Sequence, residues 1–508
     1  MFSRVKGIGL FGIDSYMIEI EADVGTGLPA FDIVGLPDTA VKESRDRVRA
    51  AIKNCGYKFP LGHITVNLAP ADRKKEGSVY DLPVLLAILK SSGQLKCDLG
   101  DSIVIGEVAL DGMVRAVNGV LAITITAVQN GIKSIFVPKE NAREAAVIEG
   151  ITVYGVENVK QIIAHLKGET LITPTLKTEI CSENVINVPD FSDVKGQIAA
   201  KKALEVAAAG GHNILLIGPP GSGKSMLAKR LPGILPEMTF EESIETTKIH
   251  SVAGILNKDN PFVTVRPFRS PHHTVSTAGV AGGGTVPKPG EISLSHNGVL
   301  FLDELPEFKR EVMEALRQPI EDGKVTISRV AGSLTYPSSI MLVAAMNPCP
   351  CGFFGHPTRD CTCTQNSVHK YLNRISGPML DRLDLHVEVP PVDYMSLSSD
   401  TKEETSAEIR ERVNKARRIQ QERYIGTGIN CNARLTPALL KKYCVMSQEA
   451  SQYLQLSFER LGMSARAYDR ILKVARTVAD LDSSEIIEKK HIFTAISFRS
   501  LDRKYWGN

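Results

Sequence analysis

The chain has 508 residues, 43% of them hydrophobic and 23% charged, with a net charge of +3. At roughly 100–200 residues per domain this length suggests two to four domains, and the composition is that of an ordinary globular protein. It excludes a globally basic nucleic-acid binder, so any basic surface must be local. It also excludes a helical membrane protein, because no apolar run approaches the roughly 20 residues of a span. The opening MFSRVKGIGLFGIDS lacks a secretory core and cleavage site, so a cytoplasmic location is expected. Nine cysteines fit a reducing compartment, and four of them crowd into Cys349–Cys363.

In chain order, residues 1–170 read as a mixed α/β domain. YMIEIEA alternates apolar and acidic residues as a half-buried strand does, and Asp38 to Cys55 carries Val41, Val48 and Ile52 on one face of a predicted helix that Gly56 ends. HITVNLAP, SIVIGEVAL and SIFVPKE read as strands, and DLPVLLAILK as a buried helix. The pattern dissolves over 171–190, the candidate linker. Residues 191–395 alternate strands and helices, which implies a parallel sheet with crossover helices. Residues 396–508 are helical in pattern. Thr436 caps one helix there, with Pro437 at its first position, and SARAYDRILKVARTVADL forms a strongly amphipathic one.

The central segment carries the chemistry. GPPGSGKS (Gly218, Pro219, Pro220, Gly221, Ser222, Gly223, Lys224, Ser225) follows the predicted strand Asn213–Ile217 and precedes a helical pattern. Glycines let backbone N–H groups converge on phosphates and the helix start adds its positive end; Lys224 reaches the terminal phosphates and Ser225 ligates Mg²⁺. GVLFLDELPEF runs an apolar strand straight into Asp303 and Glu304, a placement that asks for a compensating cation. Asp303 suits the Mg²⁺ shell and Glu304 the orientation or deprotonation of a water. A third apolar strand, IMLVAAMNPCP, ends in Asn347, which suits positioning of the same water. Arg382, between two aspartates, and Arg466, opening the late helix, are candidates for neutralising charge on a transferring phosphoryl group. Taken singly, both arginines read equally as surface residues.

Three further features leave alternatives open. Cys349, Cys351, Cys361 and Cys363 form two C-x-C pairs, which fit a four-thiolate structural Zn²⁺ site or a set of reduced thiols; His356 is a substitute ligand. VRPFRSPHHTVSTAGVAGGGTVPKPG reads as an inserted loop, with His272 and His273 on opposite sides of an extended chain and so a poor metal pair. KVTISRVAGSLTYPSSIM reads as a hairpin. Its Lys324 and Arg329 fit either DNA phosphate contacts or a solvated tip. Further local basicity lies at Arg73, Lys74 and Lys75, at Arg266 and Arg269, and along IRERVNKARRIQQERY, whose glutamates also fit a plain solvated helix face.

The order of these parts resembles an AAA+ ATPase, and most closely its magnesium-chelatase-like branch, the YifB/ComM family. The resemblance rests on GPPGSGKS, RPFRSPHHTVSTAGVAGGG, PGEISLSHNGVLFLDELPEF, AAMNPCPCG, GPMLDRLDL and LSFERLGMSARAYDRILKVARTVADL, with GLPDTAVKESRDRVRAAI and NLAPADRKKEGSVYDLP in the N-terminal part. It covers essentially the whole chain. It implies a P-loop αβα core with a helical lid, ATP and Mg²⁺ as cofactors, Asn347 as first sensor, Arg382 as a finger acting on a neighbour's ATP, and Arg466 as a cis-acting lid sensor. A finger in trans implies a homo-oligomeric ring, usually a hexamer. The family also implies work on DNA, single-stranded or branched: branch migration of recombination intermediates in natural transformation. A chelatase-type motor subunit or a protein-remodelling ATPase is the alternative. The N-terminal domain resembles the Lon-protease fold. Val79 and Leu121 stand at the nucleophile and lysine positions, with Ser78 one residue off, so a non-proteolytic module is expected.

Overall fold

The structure, a computed structural model, describes residues 2–178, 188–257, 260–284, 287–329, 332–392 and 403–506. It divides into two compact units. The first comprises Met1–Cys181, Phe240–Val263 and Ser328–Tyr336, and the second Ser182–Thr239, Thr264–Ile327 and Pro337–Asn508. Part of the candidate linker, 179–187, lies outside the described residues.

The first unit is built on a four-stranded sheet in the order Phe2–Phe11, Asp14–Gly25, His63–Ala69, Ala30–Val34, with only the last pair parallel. Alternation places Tyr16, Ile18, Ile20 and Ala22 inward along the second strand, as the sequence predicts. A second sheet is three-stranded and parallel: Ser102–Val104, Ser134–Pro138 and Thr152–Val156. SIVIGEVAL is therefore two strands, since Glu107–Val108 pairs instead with Val114–Arg115. The helix Thr39–Asn54 starts where Asp38 accepts a hydrogen bond from the Val41 N–H, and it buries Val41, Ser44, Val48, Ala51 and Ile52. Helix Asp81–Ser91 is buried on nearly every side, which its near-absence of polar residues requires.

This unit is not contiguous in sequence. The helix Phe240–Ala253 belongs to it, and its Ser251 donates to the buried carboxylate of Glu144. Leu121, Val147 and Phe262 make a small apolar cluster beside that bond. Burial raises the Glu144 pKa, and hydrogen bonds from Ser251, the Leu121 N–H and Asn141 act against the rise.

The second unit holds a five-stranded parallel sheet in the order Phe268–Arg269, Val299–Leu302, Met341–Met346, Ile214–Ile217, Leu385–Glu388. The three middle strands are apolar and buried throughout, as strands covered on both faces must be. The edge strand Phe268–Arg269 lies inside the segment expected to be an inserted loop. That segment therefore supplies part of the sheet, followed by a short helix at Thr277–Ala281. Lys324–Arg329 and Gly332–Pro337 form the predicted hairpin. The C-terminal part is helical. Ser406–Arg423 opens on a capping box between Thr405 and Glu408, and Ala465–Leu481 opens on Ser464, which accepts from the Ala467 N–H. The apolar face of the latter helix, with Ile471, Val474, Ala475 and Val478, joins the core under the sheet.

Candidate nucleotide site and cysteine cluster

Open parallel sheets bind ligands beyond the C-terminal ends of their strands. Here three central strands run the same way and each ends in a functional side chain. The strand Ile214–Ile217 leads into Gly218–Ser225, Val299–Leu302 into Asp303 and Glu304, and Met341–Met346 into Asn347. Gly221 and Gly223 have φ of +78° and +91°, a left-handed backbone that suits glycine and turns the loop tightly. A side chain at Gly218 would lie 2.2 Å from the Val389 carbonyl, so only glycine fits against the edge strand there.

Lys224 is 8% exposed. Its Nζ donates to the carbonyls of Gly218 (2.8 Å) and Pro219 (2.9 Å) and to Asn347 Oδ1 (3.2 Å). Burial pushes its pKa down to about 8, against the attraction of Asp303 and Glu304. Ser225 Oγ donates to Asp303 Oδ2 at 2.5 Å, and Asp303 Oδ1 accepts from the Glu304 N–H at 3.0 Å. The Ser222 hydroxyl is buried without a hydrogen-bond partner among the described residues. Lys224, Ser225, Asp303 and Asn347 are thus one connected group, as the sequence places them. A buried ammonium beside a carboxylate–hydroxyl pair, under a loop with a spare buried hydroxyl, fits triphosphate and a divalent cation.

Glu304 adopts φ 55° and ψ 47°, a left-handed conformation costly for a residue with a side chain. Its carboxylate is 3.5 Å from His273 Nδ1. The rings of His272 and His273 lie 4.1 Å apart. The expectation that they point to opposite sides is corrected: His273 begins a turn, where strand alternation does not apply, and the Val275 N–H closes it on the His272 carbonyl.

Arg382 and Arg466 stand apart from this group. Arg382 is 11% exposed and pairs with Glu321 at 2.6 Å, while it also donates to the carbonyls of Pro378 (2.5 Å) and Arg317 (3.2 Å). Arg466 is 72% exposed and pairs with Asp381 at 3.3 Å. Both line one cavity of about 340 Å³ with Glu321, Asp384, Arg470 and Lys473. The described contacts of Arg466 are therefore with the Arg382 segment, not with its own phosphate loop. Asp384 enters the sequence only as one of the two aspartates that flank Arg382. It is buried between His212 (3.4 Å) and Arg470 (3.0 Å), and it accepts from the Asn213 N–H at the foot of the phosphate-loop strand. Burial acts against ionisation of its carboxyl, but the neighbouring His212, Arg470 and Lys473 outweigh it and hold the carboxyl well below the usual range. Its only signal was position, two residues after Arg382.

The thiols of Cys349, Cys351, Cys361 and Cys363 all lie within 4.8 Å of one another, close enough to hold a metal ion. His356 is not among them. Its Nδ1 accepts from the Thr358 and Arg359 N–H groups and closes a turn.

The basic residues read as phosphate contacts are mostly engaged within the protein. Lys75 is buried and donates to the carbonyls of Pro70 and Arg73, Arg73 lies 4.9 Å over the Tyr16 ring, and Lys74 pairs with Glu76. Arg266 donates to three carbonyls and Arg269 forks onto Glu291 at 2.7 Å. In the helix Ser406–Arg423, Arg412 pairs with Glu205, Arg417 donates to the Ala208 carbonyl, and Arg423 forks onto Asp480. Lys324 is exposed at the base of the hairpin. Arg329 ends the first hairpin strand, and its side chain lies outside the described residues.

In the N-terminal unit Val79 and Leu121 are buried, and the Ser78 hydroxyl is bonded to Glu107. Wholly buried Asp81 takes a fork from Arg47 at 2.7 and 3.1 Å.

The family described as "Magnesium chelatase, subunit ChlI" matches residues 190–397. "Subunit ChlI of Mg-chelatase" matches residues 20–141, and "Magnesium chelatase, subunit ChlI C-terminal" matches 403–499. The chain is 44% identical to the YifB protein of Escherichia coli (strain K12) over 495 residues, 97% of this chain and 96% of the relative. It is 44% identical to the competence protein ComM of Haemophilus influenzae over 500 residues, with the same two coverages. It is 41% identical to the Rv2897c protein of Mycobacterium tuberculosis over 498 residues, 98% of each chain. No helix among the described residues is long and apolar enough to cross a membrane.

Proposed function

Because the chain belongs to the YifB/ComM family of magnesium-chelatase-like AAA+ proteins, we propose that it is a ring-forming ATPase that couples ATP hydrolysis to the remodelling of single-stranded or branched DNA. The observation that carries the ATPase reading is the convergence of Lys224, Ser225, Asp303 and Asn347 at the ends of three adjacent parallel strands. Lys224 and the loop N–H groups bind the phosphates. Ser225 and Asp303 are the pair that would hold Mg²⁺, which when bound neutralises phosphate charge. Asn347 fixes the Lys224 ammonium and orients the water, whose proton Glu304 takes.

Arg382 and Arg466 share one cavity away from their own loop. We read them as a pair offered to the ATP of a neighbouring copy, in a ring of about six. This replaces a cis role for Arg466. The N-terminal unit we read as a Lon-like module without proteolysis: an apolar, buried Val79 and Leu121 offer no nucleophile and no base. Branch migration is the DNA activity that fits a relative named for competence, and the cytoplasm is the compartment in which such DNA is processed.

One observation favours a second reading. With Arg73, Lys75, Arg266, Arg269, Arg412 and Arg423 engaged internally, part of the basic surface is already committed within the protein, and a protein-remodelling or chelatase-type motor needs no phosphate track. The steady-state ATPase rate separates the two, measured without DNA, with single strands and with a four-way junction across a salt series. A DNA motor is stimulated, most by the junction, and loses the effect as salt rises. No stimulation by an assembled, ATP-hydrolysing protein at any salt rejects the DNA reading.

A further inference from the structure

Residues 349–363 carry no helix or strand, and only Cys349 and Gly352 among them are buried. A loop of this length with almost no core needs another source of order. The only convergent chemistry in it is the four thiols. Cys349 and Cys351 Sγ are 3.3 Å apart, Cys349 and Cys361 3.7 Å, and Cys351 and Cys361 3.6 Å. A tetrahedral zinc with Zn–S bonds of about 2.3 Å requires sulfur pairs about 3.8 Å apart. The Phe354 N–H donates to Cys349 Sγ at 3.3 Å and fixes that sulfur in place.

The loop is also fixed to the nucleotide site at three points. Cys349 lies two residues beyond Asn347, just past the end of the central strand Met341–Met346. Gly352, at φ +85°, is so close to the phosphate loop that an added Cβ would sit 2.4 Å from Pro220 Cδ. The helix Gln365–Leu372 follows the last cysteine, and its buried Tyr371 lies beside the Asn347 backbone.

We propose that Cys349, Cys351, Cys361 and Cys363 bind one Zn²⁺ as a closed tetrathiolate, and that this metal-closed loop braces Pro220 and Asn347, so that zinc occupancy sets the affinity of the phosphate loop for nucleotide. Four protein thiolates leave no open coordination position, so the metal acts by holding shape and takes no part in hydrolysis. The effect on nucleotide rests on the ATP-site reading above; the metal site does not.

The test uses full-length protein produced with zinc supplementation. Elemental analysis is expected to give about one zinc per chain, lost in Cys351→Ser and Cys361→Ser. Removal by a strong zinc chelator should weaken binding of a fluorescent ATP analogue about tenfold or more, and zinc chloride should restore it. Gly352→Ala should keep its zinc and still bind the analogue more weakly, which separates the brace from the metal and does not depend on the cysteine variants folding. Fewer than about one zinc in ten chains, with four reactive thiols, overturns the site. Unchanged affinity in zinc-free protein or in zinc-loaded Gly352→Ala overturns the brace. Zinc-loaded wild type that binds no nucleotide overturns the ATP reading, and the brace with it, while the zinc content is decided separately.

Discussion

Replacing Lys224 by methionine tests the nucleotide site through the stability of the nucleotide-free protein as well as through binding. The ammonium is buried, and its pKa falls from 10.5 to about 8. That fall corresponds to about 3 kcal/mol by which folding disfavours the charged form. Opposing it are three hydrogen bonds, to Gly218, Pro219 and Asn347, worth about 1 kcal/mol each. The two nearly cancel, so Lys224→Met without nucleotide should match the wild type within about 1 kcal/mol. The sign with pH is definite. Between about pH 8 and 10.5 the unfolded chain holds a proton that the folded one has lost, so this residue's contribution rises with pH across that window and is flat below it. The variant should lack that rise. Added nucleotide should stabilise the wild type by about 2.7 kcal/mol at a hundredfold excess over Kd, and the variant not at all. The assay is thermal unfolding of the ATPase unit, with and without a non-hydrolysable ATP analogue and Mg²⁺, from pH 7 to 10. A nucleotide-free variant that loses about 3 kcal/mol or more would show that the lysine holds the loop together structurally. A variant that still gains stability from nucleotide would refute the assignment of the site.

Glu304→Gln should bind nucleotide normally and lose turnover by about a hundredfold or more, read in single-turnover hydrolysis. Arg382→Ala should likewise bind and lose about a thousandfold in kcat. Mixed with Lys224→Met subunits, it should regain part of the activity in hybrid assemblies, and verified hybrids without rescue would reject the trans role. Asp480→Ala removes the wholly buried partner of Arg423, Arg476 and Asn432, and should cost about 3–5 kcal/mol in the C-terminal helices, seen as early loss of amide protection there.

The strands that carry the site were legible because central parallel strands are apolar runs, and a polar residue at the end of such a run stands out. Gly218–Ser225, Asp303, Glu304 and Asn347 all follow that rule. The edge strand Phe268–Arg269 was not legible: two residues among prolines and glycines give no period to read. The placing of His272 and His273 on opposite sides failed for a related reason, because a turn replaced the extended chain that alternation assumes. The basic stretches misled in another way. The charge of Arg412 is visible in the sequence, but its partner Glu205 lies 207 residues earlier, and no local pattern reports that distance. The membership of Phe240–Val263 in the first unit is likewise a long-range fact, carried by Ser251 on Glu144. The cysteine spacing allowed zinc or free thiols, and the convergence of four sulfurs is what favours metal.

The setting of Arg382 bears on how a trans finger is kept from acting alone. Its guanidinium is nearly enclosed, with Glu321 and two carbonyls taking its donors. An arginine in this state is neutralised within its own chain and is a poor stray ligand for free phosphate. Glu321, however, is more than half exposed, so the pair is screened by water and worth about 1 kcal/mol or less. A phosphoryl group that develops charge in a site closed to water attracts the same guanidinium far more strongly. On the trans reading, exchange of Glu321 for that group is therefore downhill once a neighbour closes over the cavity, and unfavourable while the surface stays wet. Arg466 on Asp381 is a weaker latch of the same kind, because it is more exposed. Glu321→Gln should then raise basal ATP turnover only in the assembled protein, and an equal rise in dilute, unassembled chains would place the effect within one subunit.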